Sequence, residues 1–145
     1  MMGFDTRQLP PMPPGRLLEV GCANGTYLEH ARRLGWTVQG IEFSDSAAAL
    51  ARTRGLAVQT AGVDSATPPS DAVDVIAAWM VIEHLHDPVA ALNRMRGWLR
   101  PGGYLIASVP DASGWLLSTF GARRYDLHLP AHLYHFSDRT LSKLL

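Results

Sequence analysis

The chain has 145 residues, thirteen of them basic and thirteen acidic, so it is formally neutral, with 47% hydrophobic and 18% charged residues. That is the size of one domain with its own core, and the cancelled charge argues against nucleic acid as the main partner, since a phosphate-tracking surface carries a basic surplus. A single cysteine, Cys22, excludes an internal disulfide and points to a reducing, cytoplasmic setting; the longest apolar run, Val75 to Ile82, falls far short of the ~20 residues a membrane-spanning helix needs.

Residues 1–15 end in Pro10-Pro11-Met12-Pro13-Pro14-Gly15, which cannot continue a helix or a central strand and read as a lead-in. The domain proper is expected over residues 16–145. Leu17, Leu18 and Val20 predict a buried first strand, halted by Gly21. A helix follows from Gly25 to Leu34, its inward face carrying Leu28, Ala31 and Leu34, with Gly35 as a left-handed stop. Thr37, Val38 and Ile41 form a second strand ending at Glu42; Ser44 caps a helix through Arg54, and Gly55 stops it. A third strand spans Ala57 to Thr60. After a polar stretch, Val73 to Ala78 is apolar nearly throughout, as a strand buried on both faces should be. Asp87-Pro88 starts a helix continued by Leu92, Met95 and Leu99 and ended by Pro101-Gly102-Gly103. Tyr104 to Val109 is a fifth strand, and a short helix begins at Ser137. The alternation predicts an α/β, Rossmann-like, doubly wound parallel sheet of about five strands, order 3-2-1-4-5, with helices on both faces.

The turn Glu19-Val20-Gly21-Cys22-Ala23-Asn24-Gly25 joins the first strand to the first helix, where glycines admit a ligand close to the backbone and the helix start offers free N–H groups. Twenty-one residues after Gly21, Glu42 ends the second strand, placed to accept the two hydroxyls of a ribose. The pair signals a nucleoside cofactor. A dinucleotide fit is poor, because Ala23 and Thr26 stand where the second and third glycines of that fingerprint belong. Glu19 would repel a diphosphate and suits a ligand bearing an ammonium or sulfonium. S-adenosylmethionine has both charges and no phosphate.

The segments LLEVGCANGTYLEHA, GIEFSDSAAALA, VDVIAAWMVIEHLHDPVAALNRMRGWLRPGGYLIASVPD and HLYHFSDRTLSKLL resemble class I S-adenosylmethionine-dependent methyltransferases, within the broad group that includes ubiquinone-biosynthetic O-methyltransferases. The resemblance implies that Glu19, Gly21, Cys22, Ala23 and Gly25 line the methionine and ribose side, that Glu42 holds the ribose and that Phe43 packs on the adenine. It implies further that Asp64 meets the adenine amino group, that Trp79 and Met80 border the methyl group, and that S-adenosylhomocysteine is the product. Ala23 replaces the usual middle glycine, tolerable if its φ is negative. No Asn/Asp-Pro-Pro-Tyr sequence follows the fourth strand, so methylation of DNA base amino groups is not indicated. Glu83-His84 matches a pair associated with a metal in the ubiquinone-type enzymes, but Met80 stands where a further carboxylate belongs. No metal is expected on this reading.

Methyl transfer by in-line displacement needs alignment and desolvation more than side-chain chemistry. A hydroxyl acceptor would also use a base, for which His84 and His132 are the candidates. His128, His132 and His135 mimic a ligand spacing, but Pro130 interrupts them and no cysteine joins them. Arg123 and Arg124 would pair with an acidic acceptor or be solvated. The expected function is O-methylation of a small molecule; a cofactor-binding or assembly module without turnover and a nicotinamide-dependent oxidoreductase domain are the alternatives. Enzymes of the resembling group carry two further strands after the helix at Ser137, so the fold is expected to be truncated at its carboxyl end: either a second copy of the chain covers the edge of the fifth strand, or the chain is a shortened gene product.

Overall fold

The computed structural model describes residues 8–111 and 132–145. Strands β1 (Arg16–Val20), β2 (Thr37–Glu42), β3 (Ala57–Thr60), β4 (Val73–Trp79) and β5 (Leu99–Ser108) form one five-stranded parallel sheet in the order 3-2-1-4-5. Helices α1 (Thr26–Arg33) and α2 (Asp45–Thr53) cover one face, and α3 (Pro88–Trp98) and α4 (Asp138–Leu144) the other. β4 lies between β1 and β5 with helices above and below, and its Val75, Ile76, Ala77 and Ala78 are wholly buried, which explains its unbroken apolar run.

The element ends follow from local chemistry. Ser44 accepts the Ala47 N–H at 3.4 Å at the start of α2, and Asp87 accepts the Ala90 N–H at 2.9 Å ahead of Pro88 in α3. Gly35 (φ 93°) and Gly55 (φ 70°) take the left-handed backbone expected beyond α1 and α2. Ser137 and Thr140 form a reciprocal capping box on α4. Leu9 and Met12 of the lead-in pack against the α1 and α2 side of the core.

Two boundaries differ from expectation. Leu34 is half exposed at the C-cap, and Tyr27 takes the inward place instead, because the buried stripe of α1 is Tyr27, Leu28 and Ala31. α3 stops at Trp98: Leu99 already pairs with Val73, and Gly102 (φ 75°) bends the chain inside β5 rather than ending the helix. Among the described residues β5 pairs only with β4, and no helix is long and apolar enough to cross a membrane. A cavity of about 350 Å³ lies beside β2 and β3 under residues 67–70, lined by Gln39, Gln59 and Thr67, and shares no residue with the glycine turn.

Candidate active site

All five strands run the same way, so their carboxyl ends share one edge of the sheet. The chain leaves β1 toward the α1 face and β4 toward the α3 face, which opens a crevice between them, the usual ligand position in such sheets. The glycine turn sits in that crevice. Gly21 (φ 72°) needs its lack of a side chain, since an added Cβ would lie 2.5 Å from Val81 Cγ2. The turn leaving β4 therefore closes directly on the turn leaving β1. Gly25 (φ 78°) caps α1 with no side chain of its own, and Asn24 Oδ1 accepts only the first helical N–H, that of Thr26, at 3.2 Å.

Glu42 braces this cradle. One carboxylate oxygen accepts the Ala23 N–H and the other accepts the Ser44 N–H, each at 2.8 Å. A carboxylate offers about four lone-pair sites, so both oxygens keep capacity for a diol. Ala23 has φ 47°, against the negative value on which its tolerance was expected to depend. The hydrogen bond to Glu42 holds it in the left-handed region despite its Cβ.

The remaining expected residues fall on the same edge. Glu19 is buried under the turn, and Cys22 beside it is buried as well. Burial, then the charges of Glu19 and Glu42, push the Cys22 thiol up to about 12, so it is a neutral group beside the turn and no nucleophile. Phe43 is 83% exposed at the end of β2, a flat ring open to solvent. Asp64 is exposed beyond β3 and accepts the Ser65 N–H at 3.0 Å. Trp79 ends β4 with its ring 5.3 Å from that of Tyr27, edge to face. Met80 is half exposed at φ 56°, its N–H donated to the Ser108 carbonyl at 2.9 Å. Such a backbone costs of order 1–3 kcal/mol in a non-glycine residue and tends to occur where a site demands it.

The two candidate bases meet. His84 ends a short 3₁₀ turn (Ile82–His84), and the ring of buried His132 stands 4.7 Å from it at 72°. The segment carrying His132 is clamped by backbone: the Leu133 and Tyr134 N–H groups both donate to the Glu83 carbonyl, at 2.8 and 3.2 Å, and the Tyr134 hydroxyl donates to the His86 carbonyl at 3.0 Å. His135 lies 6.3 Å from His132, ring to ring. His128, Arg123 and Arg124 are outside the described residues.

Glu83, seen in the sequence only as half of a pair, is fully buried against these rings. Neither of its carboxylate oxygens makes a hydrogen bond among the described residues, and burial pushes its carboxyl above the ordinary value, against the pull of its own peptide N–H and His84. Glu83, His84 and His132 each present a donor atom, and these lie within 4.8 Å of one another. Two imidazoles and a buried carboxylate satisfy the donor chemistry of a divalent cation. The signal available in sequence was a carboxylate embedded in the apolar run Trp79 to Leu85; that His132 would complete the group was not.

Residues 5–145 match a methyltransferase-domain family. The chain belongs to that family. Its sheet order is that of the class I, S-adenosylmethionine-dependent members, whose cofactor is S-adenosylmethionine. It is 32% identical over 130 residues to a ubiquinone biosynthesis O-methyltransferase of Paramagnetospirillum magneticum, covering 83% of this chain and 51% of that one. A protein of the same description in Xanthomonas campestris is 29% identical over 136 residues, covering 88% and 57%. The chain thus spans about half the length of the curated relatives it matches. Among solved structures, an S-adenosylmethionine-dependent methyltransferase of Thermotoga maritima, described as a possible histamine N-methyltransferase, superposes with a TM-score of 0.74 at 26% identity, over 92% of this chain and 62% of that one. The plantazolicin methyltransferase BpumL bound to S-adenosylhomocysteine shares the fold, with a TM-score of 0.75 at 17% identity over 91% and 54%.

Proposed function

We propose that this methyltransferase domain binds S-adenosylmethionine across the β1 and β2 ends and transfers its methyl group to an oxygen of a small-molecule acceptor. The observation that carries the reading is the bracing of the glycine turn by Glu42 beside the exposed Phe43. A diol received by Glu42 leaves the adenine on the Phe43 ring with Asp64 at its edge, and directs the methionine end toward Glu19 and Cys22. Glu19 supplies a buried negative charge for the ammonium.

The methyl group then lies toward Trp79 and Met80, where the turn that packs on Gly21 leads within a few residues to His84, whose ring meets that of His132. These two are the catalytic candidates, placed to receive an acceptor hydroxyl and take its proton as the methyl transfers. Alternatively, Glu83, His84 and His132 together would hold a divalent cation, which when bound lowers the pKa of a neighbouring hydroxyl and so takes the place of an imidazole base. The chain's own residues orient the acceptor and exclude water, the main requirements of an in-line displacement. Transfer to oxygen is favoured by the resemblance to ubiquinone O-methyltransferases, and a small acceptor over nucleic acid by the balanced charge.

The test is calorimetric binding of S-adenosylhomocysteine and NAD, followed by methyl transfer from labelled S-adenosylmethionine to a panel of phenols and catechols. Micromolar or tighter S-adenosylhomocysteine binding with labelled ether product supports the reading. Preference for NAD, or labelled amine in place of ether, overturns it.

A further inference from the structure

The indole of Trp79, at the carboxyl end of β4, holds a polar group whose partner is missing. Its Nε1 is buried and makes no hydrogen bond among the described residues. A buried donor in that condition carries the full cost of its lost hydration, and each such group in a native fold calls for a specific partner or role. An indole N–H donates and never accepts, so the partner is an acceptor, and an anionic one makes the stronger bond. Side-chain alternation fixes which side of the sheet the donor serves. Leu17 packs in the core on the α1 and α2 side, Leu18 and Val20 on the α3 side, so Glu19 between them faces α1. Glu19 pairs with Ala77, which lies on the α1 side, and Trp79 follows two residues later on the same face. With a rise of ~3.3 Å per residue and ~4.8 Å between strands, the Glu19 and Trp79 backbone positions stand roughly 8 Å apart. The Trp79 ring meets Tyr27, in the first turn of α1, at 5.3 Å, which sets the indole beside the positive end of that helix. Ile82, two residues before His84, packs on the opposite side of the sheet, so the indole belongs to the cofactor side of the crevice and not to the side of the two imidazoles.

We propose that Trp79 donates its indole N–H to the α-carboxylate of the bound cofactor, so that Glu19 and Trp79, on adjacent strands, receive the ammonium and the carboxylate of one amino-acid group. The proposal rests on the reading of the glycine turn and Glu42 as an S-adenosylmethionine cradle, and supplies what that reading leaves open, the partner of the carboxylate. The helix start adds its dipole to the same anion, since Asn24 occupies only the Thr26 N–H. A free carboxylate thereby becomes a requirement for tight binding. The chain selects the zwitterionic cofactor over an analogue that keeps the adenosine, the sulfur and the amine but lacks the carboxylate, because that analogue leaves the buried indole N–H without an acceptor.

The experiment is calorimetric titration of S-adenosylhomocysteine and of its decarboxylated analogue into the unmodified chain and into Trp79→Phe, which keeps an aromatic ring against Tyr27 and removes the N–H. The unmodified chain should bind S-adenosylhomocysteine about tenfold or more tighter than the analogue, as the loss of one charge-assisted hydrogen bond requires. Trp79→Phe should weaken S-adenosylhomocysteine by about the same factor and leave the analogue within about twofold of its value on the unmodified chain. Denaturant unfolding is the folding control. A second readout needs no variant: in the magnetic-resonance spectrum of the isotope-labelled unmodified chain, the Trp79 indole proton should move downfield with S-adenosylhomocysteine and not with the analogue. Equal affinities of the unmodified chain for the two ligands, an equal loss of both in Trp79→Phe, or an indole proton that responds alike to both overturns the proposal while leaving the cofactor reading in place. Failure of the unmodified chain to bind S-adenosylhomocysteine at all overturns the cofactor reading, and the proposal with it.

Discussion

Replacing Glu42 with alanine tests the geometry of the cofactor cradle. The carboxylate makes two 2.8 Å bonds to backbone N–H groups, and the proposed ribose adds two hydroxyls to the same oxygens. Hydrogen bonds to a charged group are worth about 1.5–3 kcal/mol each, so the two ribose bonds represent at least ~3 kcal/mol. That is a loss of about 150-fold in affinity. The Ala23 and Ser44 N–H groups lose their acceptor as well, but they lie near the surface and recover water, so the folding penalty should be smaller, about 1 kcal/mol. Glu42→Gln separates the two effects. One amide oxygen can still accept an N–H, but the NH₂ group opposes the other and cannot accept a hydroxyl, so binding should fall nearly as far while stability falls less. Calorimetry with S-adenosylhomocysteine measures the first quantity and denaturant unfolding the second. An affinity for Glu42→Ala within about threefold of the unmodified chain, against the ~150-fold expected from the bond count, would refute the ribose assignment.

Ala23→Gly should stabilise the fold by about 0.5–1 kcal/mol, since glycine relieves a left-handed residue whose Cβ costs ~1–2 kcal/mol there but gives back part in chain entropy; an equal or lower denaturation midpoint would contradict this. Phe43→Ala should cost ~1–3 kcal/mol of cofactor binding, the usual value of stacking an aromatic ring on a base, with no measurable loss of stability because the ring is exposed in the free chain. Asp74 accepts the Arg16 N–H at 2.7 Å and binds the Arg100 guanidinium, and these partners, the backbone bond first, hold its carboxyl below its ordinary value of 3.8. A depressed folded pKa contributes stability that is present above the ordinary value and lost as pH falls through the folded one. Acid unfolding of Asp74→Asn should therefore show a shallower fall below about pH 4 than the unmodified chain; identical slopes would remove Asp74 from the account.

Much of the fold was legible because its signals are local. An apolar run at β4, the Ser44 and Asp87 caps and the glycines at 35 and 55 each act within a few residues, and periodicity does the rest. Where local signals compete, tertiary contacts decide the outcome. Leu34 has the spacing of an inward residue but falls at the helix end, and Leu99 continues a helical pattern yet is captured by pairing with Val73. The proposed cofactor side rests on signals of the same kind: Gly21, Gly25 and Glu42 stand at ends of elements whose order is set by sequence.

The backbone angle of Ala23 and the meeting of Glu83, His84 and His132 were decided only in three dimensions. Ala23 takes a positive φ because Glu42, nineteen residues away, accepts its N–H. The trio exists because the Glu83 carbonyl captures the backbone of residues 133 and 134 and so delivers His132 to a turn it does not adjoin in sequence. Composition and periodicity determine which segments are strands and helices and which edge of the sheet carries the site. Which polar side chains share a buried volume depends on long-range hydrogen bonds between loops, and loops carry no periodicity from which such contacts can be read.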